Sequence, residues 1–363
     1  MSRQQGCKSC QFLTHFGVTS TAPATAPANA TPMAYAQVIV DALRRGGIAP
    51  DTALKAAQIT PAQLQKVRGR ISALQMEWLS GAAMQALDDE ALGAYSRRLP
   101  WGSYGMLARA SLSAPDLGRA IQRWCRHHGL IADDIRLRLI TQGTSAAIVV
   151  DEHPRHATLD ADQREFSLVH VLRNILGLSS WFIDSRIALQ GASFPFVSPP
   201  HAGAYRHMFP GPLRFGAERA EVRFDARYLT LPLRRDEQAL GQMLQRALPL
   251  TVRQYRRDRL LVQQVRQVLA TQADTVHDAE GIAALLNMST RTLHRQLKDE
   301  GASLQQLKDD VRSARARELL QRSARPVKQV AADVGFRNEK SFIRAFRGWT
   351  GTSPADYRRR LQA

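Results

Sequence analysis

From residue 280 onward one pattern is written twice, and it restricts the fold more than any bulk property of the chain. "EGIAALLNMSTRTLHRQLKDEGASLQQLKDDVRSARARELL" begins at Glu280, and "KQVAADVGFRNEKSFIRAFRGWTGTSPADYRR" begins at Lys328. Each opens on a short helical segment with an early pair of alanines, Ala283 and Ala284 in one and Ala331 and Ala332 in the other. Small side chains there let another helix cross closely. Each copy then reaches a residue that tolerates positive φ, Asn287 or Gly335, followed by an apolar residue, Met288 or Phe336, and a capping residue, Ser289 or Asn338. A second helical segment follows, with Leu293 and Leu297 or Phe342 and Phe346 one turn apart on its inner side.

Two helices joined by so short a turn make a helix-turn-helix unit, whose second helix lies in the major groove of a duplex with its N-terminal residues reaching base edges. Opposite the Leu293/Leu297 stripe stand Arg291, His294 and Arg295; opposite Phe342 and Phe346 stand Lys340 and Arg344. Arginine suits guanine through a bidentate contact, and His294 suits either donation to guanine or a bridge to phosphate. Glu339 fits a cytosine amino group or simply the positive end of its helix. The competing reading of each charge is a solvated face or a phosphate contact.

The charge distribution agrees with a polyanionic partner. The chain of 363 residues has a formal net charge of +18, which attracts nucleic acid or an anionic membrane surface. Residues 251–363 hold 22 Lys and Arg against 12 Asp and Glu, so the last third is nearly three times as cationic per residue as the rest. No uninterrupted apolar stretch approaches the ~20 residues that span a bilayer. Three cysteines fit a reducing cytosol, and a cytoplasmic location is expected. Residues 1–33, with "TSTAPATAPANATP", are poor in bulky apolar side chains and read as a flexible tail. Cys7, Cys10 and His15 within that tail lack the further ligands of a zinc site, so no cofactor is expected.

Residues 34–245 mix the two periods. "AYAQVIVDALRRGG" predicts a helix ending at Gly46, "PAQLQKVRGRISALQMEWL" a helix opening at Pro61 with Leu64, Val67, Ile71, Leu74 and Leu79 on one side, and "SAPDLGRAIQRWCRHH" a helix capped by Ser113. "DIRLRLIT" and "TSAAIVVDE" flank the turn signal "QGT" and read as a hairpin. A further helix, "DQREFSLVHVLRNILGL", precedes strand-like "SRIALQGA", "LRFGA" and "AEVRFDA". The fold class expected is an α+β N-terminal domain followed by an all-α domain over 255–363, in which a long helix from Leu304 to Gln321 joins the two helix-turn-helix units.

No phosphate loop, nucleophile elbow or HExxH is present. His127 and His128, about 100° apart on a helix, read as surface histidines rather than shared ligands. Trp101, Tyr104 and Trp124 read as core or as pocket lining, and His170 as a core histidine. No catalytic site is expected. Two other classes remain: a DNA-binding repair protein that transfers an alkyl group to Cys125 or the Cys7/Cys10 pair, and a basic nucleic-acid binder without sequence preference.

The C-terminal stretch resembles the paired helix-turn-helix domain of AraC-type (AraC/XylS) transcription regulators. Gly335, Phe336, Ser341, Phe342, Arg344, Phe346, Gly351, Ser353, Pro354, Tyr357 and Arg358 carry the likeness in order and spacing; Asn287 stands where the first copy often has glycine. "GSYGMLARASLSAPDLGRAIQRWCRHHGLIADDIRLRL" and "AYRHMFPGPLRFGAERAEVRFDARYLTLPL" are similar to the arabinose-binding-type N-terminal domain of the subgroup that includes ornithine-utilisation and virulence regulators. The resemblance implies both recognition helices in successive major grooves of double-stranded DNA, an unknown small-molecule effector, self-association as a homodimer, and activation through RNA polymerase.

Overall fold

The computed structural model describes residues 31–66, 68–245, 258–271, 278–323 and 325–362. Cys7, Cys10, His15, Val67 and the composition shift near residue 250 lie outside them. Residues 31–33, expected in the tail, lie in regular structure instead. Thr31–Pro32 (β1) pairs antiparallel with Arg70–Ile71 (β2), and Thr31 is buried.

From Met33 the helical period governs: α1 (Met33–Arg45) buries Tyr35, Ala36, Ile39 and Leu43 and ends at Gly46. Two short helices follow, α2 (Asp51–Ala56) and α3 (Pro61–Leu64). The single helix expected from Pro61 is interrupted, because its middle is taken into β2 and a new helix starts from a capping box. Ser72 Oγ accepts from Gln75 N at 3.1 Å while the Gln75 side chain accepts from Ser72 N at 3.0 Å, opening α4 (Ala73–Leu87). Leu74 is consequently exposed and Leu79 buried.

Next come α5 (Ser103–Leu112) and α6 (Leu117–Ile131). Asp116, not Ser113, caps α6 through Arg119 N at 2.8 Å; Ser113 ends α5 and takes a bond from Arg123 instead. The buried face of α6 runs Leu117, Ile121, Trp124, His128. That i, i+4, i+7, i+11 series carries His128 inward, so the surface reading fails for this histidine.

The predicted hairpin is present as β3 (Ile135–Gln142) and β4 (Ser145–Glu152), in register from Ile135 against Glu152 to Gln142 against Ser145. After α7 (Pro154–Ala157) and the buried α8 (Ala161–Phe182) come β5 (Leu189–Phe194), α9 (Tyr205–Met208), β6 (Leu213–Phe215) and β7 (Ala220–Asp225). The five strands lie in the order β3-β4-β7-β5-β6, antiparallel except for β5 beside β6. β3 alternates buried Ile135 and Leu137 with exposed Arg136 and Arg138, as a one-sided edge strand does, whereas Ala146–Val150 in β4 is buried throughout. One apolar core joins these elements from α1 to α10 (Glu237–Leu244).

The described residues beyond 257 that form regular structure are all helical: α11 (Leu260–Thr271), α12 (Ala279–Leu285), α13 (Thr290–Asp299), α14 (Leu304–Arg322), α15 (Val327–Asp333), α16 (Glu339–Thr350) and α17 (Pro354–Gln362). They hold two cores. Leu304 and Leu307 at the start of α14 close the first with Leu261, Val265, Ile282, Leu293 and Leu297. Ala316 and Leu320 near its end close the second with Val330, Ala331, Phe342 and Phe346. One helix therefore carries two separately packed units.

Candidate nucleic-acid interface

Each unit builds its second helix by the same local devices. Asn287 has φ of 53° and Gly335 of 79°, so the turn passes through the left-handed region in both copies. Ser289 Oγ then accepts from Thr292 N at 3.2 Å, and Asn338 Oδ1 from Ser341 N at 2.8 Å, satisfying N–H groups that have no partner inside the helix. Only one alanine of each early pair, Ala283 or Ala331, is buried beneath the crossing helix.

The apolar stripes do the anchoring. Leu293, Leu297, Phe342 and Phe346 are fully buried. Phe342 meets Phe336 at 5.6 Å and Phe346 at 5.6 Å, and Phe346 meets Tyr357 edge-on at 5.4 Å. A residue two positions from a buried one is turned about 200° around the helix. Arg291 and Arg295 therefore stand opposite the Leu293/Leu297 seam, and Lys340 and Arg344 opposite the phenylalanines.

Arg291, His294, Arg295, Lys340 and Arg344 are all exposed, while Glu339 is half-buried in the first turn of α16. Among the described residues these five basic side chains make no hydrogen bond or ion pair. Several cations elsewhere in the domain are neutralised by neighbours. Arg315 and Arg322 share Glu318, Arg266 meets Asp310 at 2.6 Å, and Arg325 meets Asp333 at 2.7 Å. The outward faces of α13 and α16 thus each carry a row of unspent positive charge. Lys298 extends the Arg291/His294 row by one turn, Arg347 extends the Lys340/Arg344 row, and Arg337 lies in the turn before α16; all three are exposed. Lys298 and Arg347 fall at i+3 or i+4 from Arg295, His294 and Arg344, a spacing visible in the sequence.

The two units are braced through α14. The Arg312 guanidinium lies over the Phe336 ring at 5.4 Å and close to the Gly335 turn, so the linking helix grips the second unit at its turn. Arg358 closes the far side by donating to Arg325 O at 2.7 Å.

In the N-terminal domain, Trp101 is largely exposed, but Tyr104 and Trp124 meet edge-on at 5.3 Å. They line a small cavity of about 50 Å³ with Tyr95, His128, Phe166 and His170. Tyr104 Oη, Trp124 Nε1 and His128 Nδ1 are buried without a protein partner. Burial holds His128 and His170 down at about 4, so both rings are neutral near pH 7. Cys125 is buried too, and burial pushes its thiol up to about 12. A thiol so placed carries little thiolate, the attacking form of cysteine, at neutral pH. Among the described residues no helix is long and apolar enough to cross a membrane.

Two helix-turn-helix units on one long helix, carried by an α+β domain, define a DNA-binding transcription regulator. Residues 47–233 match the family described as the arabinose-binding domain of AraC transcription regulators, N-terminal, and residues 282–360 match a helix-turn-helix domain. The chain belongs to the AraC family of transcription regulators, in the branch that bears this N-terminal domain. It is 27% identical over 338 residues to the ornithine utilization regulator of Pseudomonas aeruginosa, covering 93% of this chain and 98% of that one. Among solved structures it is similar to the transcriptional regulator CdpR of Pseudomonas aeruginosa, at 21% identity, TM-score 0.32, 88% of this chain and 98% of the other. It is also similar to the DNA-binding domain of the global transcriptional factor AdpA in complex with a target DNA, at 34% identity, TM-score 0.26, 28% of this chain and 92% of that one.

Proposed function

We propose that this regulator is an effector-responsive activator that reads a bipartite site on double-stranded DNA. Residues 34–245 form its effector-binding and self-association domain, and residues 255–363 form its reader. In this reading Arg291, His294 and Arg295 enter one major groove from α13, and Glu339, Lys340 and Arg344 enter the next from α16. The observation that carries it is the set of unpaired, exposed basic side chains standing opposite fully buried anchors on two helices that share α14. That helix is about 28 Å long at ~1.5 Å per residue, comparable with the ~34 Å repeat of the duplex. Lys298, Arg337 and Arg347 supply phosphate contacts, which give affinity that falls with salt, while base contacts give specificity.

Effector sensing is supported by the cavity among Tyr104, Trp124 and His128, whose unpartnered polar atoms are buried between α5, α6 and α8. A ligand there acts only through unequal affinity for two states of the domain. Tyr104 adjoins Gly105, against which Leu244 of α10 packs, so a shift of α5 reaches the last described helix before the junction. The protein works in the cytoplasm, as a homodimer that contacts RNA polymerase.

The test is selection from random duplex DNA with the full chain at near-physiological salt, repeated with Arg295→Ala and Arg344→Ala. The expected result is a site of two short blocks, each relaxed by one substitution at a cost of roughly 1–3 kcal/mol. Binding without a consensus, fading only as salt rises, would replace this reading with that of an electrostatic binder.

A further inference from the structure

The segment that enters the DNA-binding domain is tied at both ends of one helical turn. Behind it, three consecutive residues after α8, together with Tyr228 and Arg234, hold residues 258–263. Tyr228 Oη donates to Asp258 Oδ2 at 2.5 Å and itself accepts from Ala188 N at 3.1 Å. Ser185 Oγ accepts from Arg259 N at 2.7 Å. The two oxygens of Asp184 take Arg235 at 2.6 Å and Arg259 at 3.0 Å. Gln263 donates to Ile183 O at 3.3 Å and accepts from Arg234 at 3.0 Å. Leu260 packs against the N-terminal core. The start of α11 is therefore tied to the N-terminal domain by its polar groups and Leu260, while Leu261 and Val265 pack in the first helix-turn-helix core.

Ahead of it stands the first reader. The opening N–H groups of a helix have no partner within it. In α11, Asp258 takes Leu260 N at 3.0 Å, but Leu261 N and Val262 N donate to the two carboxylate oxygens of Glu300, at 3.2 and 2.8 Å. Glu300 is the residue that ends α13. A carboxylate at a helix N-terminus is held by charge as well as by hydrogen bonds. Among the described residues, nothing from 327–362 bonds to the N-terminal domain.

We infer that Glu300 is a positioning residue for DNA reading: it couples α13 to the N-terminal domain through the first turn of α11, while the unit that holds α16 is joined to the rest through α14. The two reading blocks are consequently unequal. The state of the N-terminal domain sets the engagement of the block read by α13, and the block read by α16 is engaged in either state. The inference rests on the DNA-reading role proposed for α13.

The experiment uses the full chain in footprints on the selected duplex, beside hydrogen exchange of the unbound protein. Tyr228→Phe and Arg259→Ala loosen the tie from the N-terminal side without touching α13, and Glu300→Ala breaks it from the other. Each is expected to weaken protection of the first block about tenfold with the second retained, and to speed exchange across 260–300 but not across 327–360. Glu300→Gln, which keeps an acceptor oxygen, is expected to recover most of the protection. Equal weakening of both blocks, or unchanged exchange across 260–300 in Tyr228→Phe and Arg259→Ala, overturns the inference. Arg295→Ala separates the two claims. If it leaves the first block intact, the assignment of α13 as reader fails; if it relaxes that block while Tyr228→Phe and Arg259→Ala do not, the coupling fails alone. Should Glu300→Ala not fold, Tyr228→Phe and Arg259→Ala still decide the matter.

Discussion

Replacing Phe342 by alanine tests whether the second helix-turn-helix unit is separately packed. Phe342 is fully buried, touches Phe336 and Phe346 at ring distances of 5.6 Å each, and is one of two fully buried aromatics in its core. Truncation of such a ring costs about 3–5 kcal/mol, combining the lost transfer energy and the cavity left behind. Whole domains are stable by only about 5–15 kcal/mol, so a unit with so few large buried side chains loses much of what holds it. The first core shares no buried residue with this one, since Leu304 and Leu307 serve one and Ala316 and Leu320 the other. The expected outcome is faster hydrogen exchange across residues 327–360, unchanged exchange across 279–299, and loss of protection at the block read by α16 only. Arg344→Ala should remove the same protection with no change in exchange, because it deletes the contact and leaves the helix in place. If Phe342→Ala abolishes both blocks together, or leaves the second intact, the argument from two cores is wrong.

Acid should destabilise the N-terminal domain in two stages. Burial holds His128 and His170 at about 4, below the ordinary 6.5, so their contribution is complete above pH 6.5 and falls away between 6.5 and 4 as the unfolded chain takes up the protons, by about 3 kcal/mol each. Burial raises Glu152, but bonds from Arg164 at 2.7 Å and from His156 outweigh it and bring the carboxyl from 4.5 to about 2, so its contribution of about 3 kcal/mol is lost as pH falls from 4.5 toward 2. Urea midpoints across this range should start to drop below pH 6.5 and flatten partly in His170→Gln; a level profile down to pH 5 would contradict the burial argument. Tyr104→Phe removes a buried hydroxyl that has no protein partner and should leave stability unchanged or raise it by up to about 1 kcal/mol. A loss of more than that in thermal unfolding would mean that the hydroxyl is bonded in solution.

Local order was legible in the residues themselves because its causes are local. Asn287, Gly335, Ser289 and Asn338 act within a few positions of themselves, and the Leu293/Leu297 and Phe342/Phe346 stripes follow from the 3.6-residue period. The β3–β4 hairpin has the same origin in an alternating pattern around a turn. What the sequence by itself determined was therefore the two helix-turn-helix units, the hairpin and the outward cations. It misjudged Pro61–Leu87, where one apolar stripe spans two helices, because pairing of Thr31 with Ile71 is decided 40 residues away. It likewise missed the burial of His128, which rests on the packing of α6 rather than on residue type.

Only the tertiary structure decided which charges are spent. Arg266 is neutralised by Asp310 across 44 positions and Arg325 by Asp333 across eight, whereas Arg295 and Arg344 have no such neighbour. Nothing about an arginine in isolation distinguishes these cases. The strand order β3-β4-β7-β5-β6 and the Tyr228–Asp258 and Glu300–Val262 contacts are of the same kind. A hydrogen bond or ion pair forms between whatever groups the fold brings to about 3 Å, and sequence separation carries no information about that distance once the chain has turned back on itself.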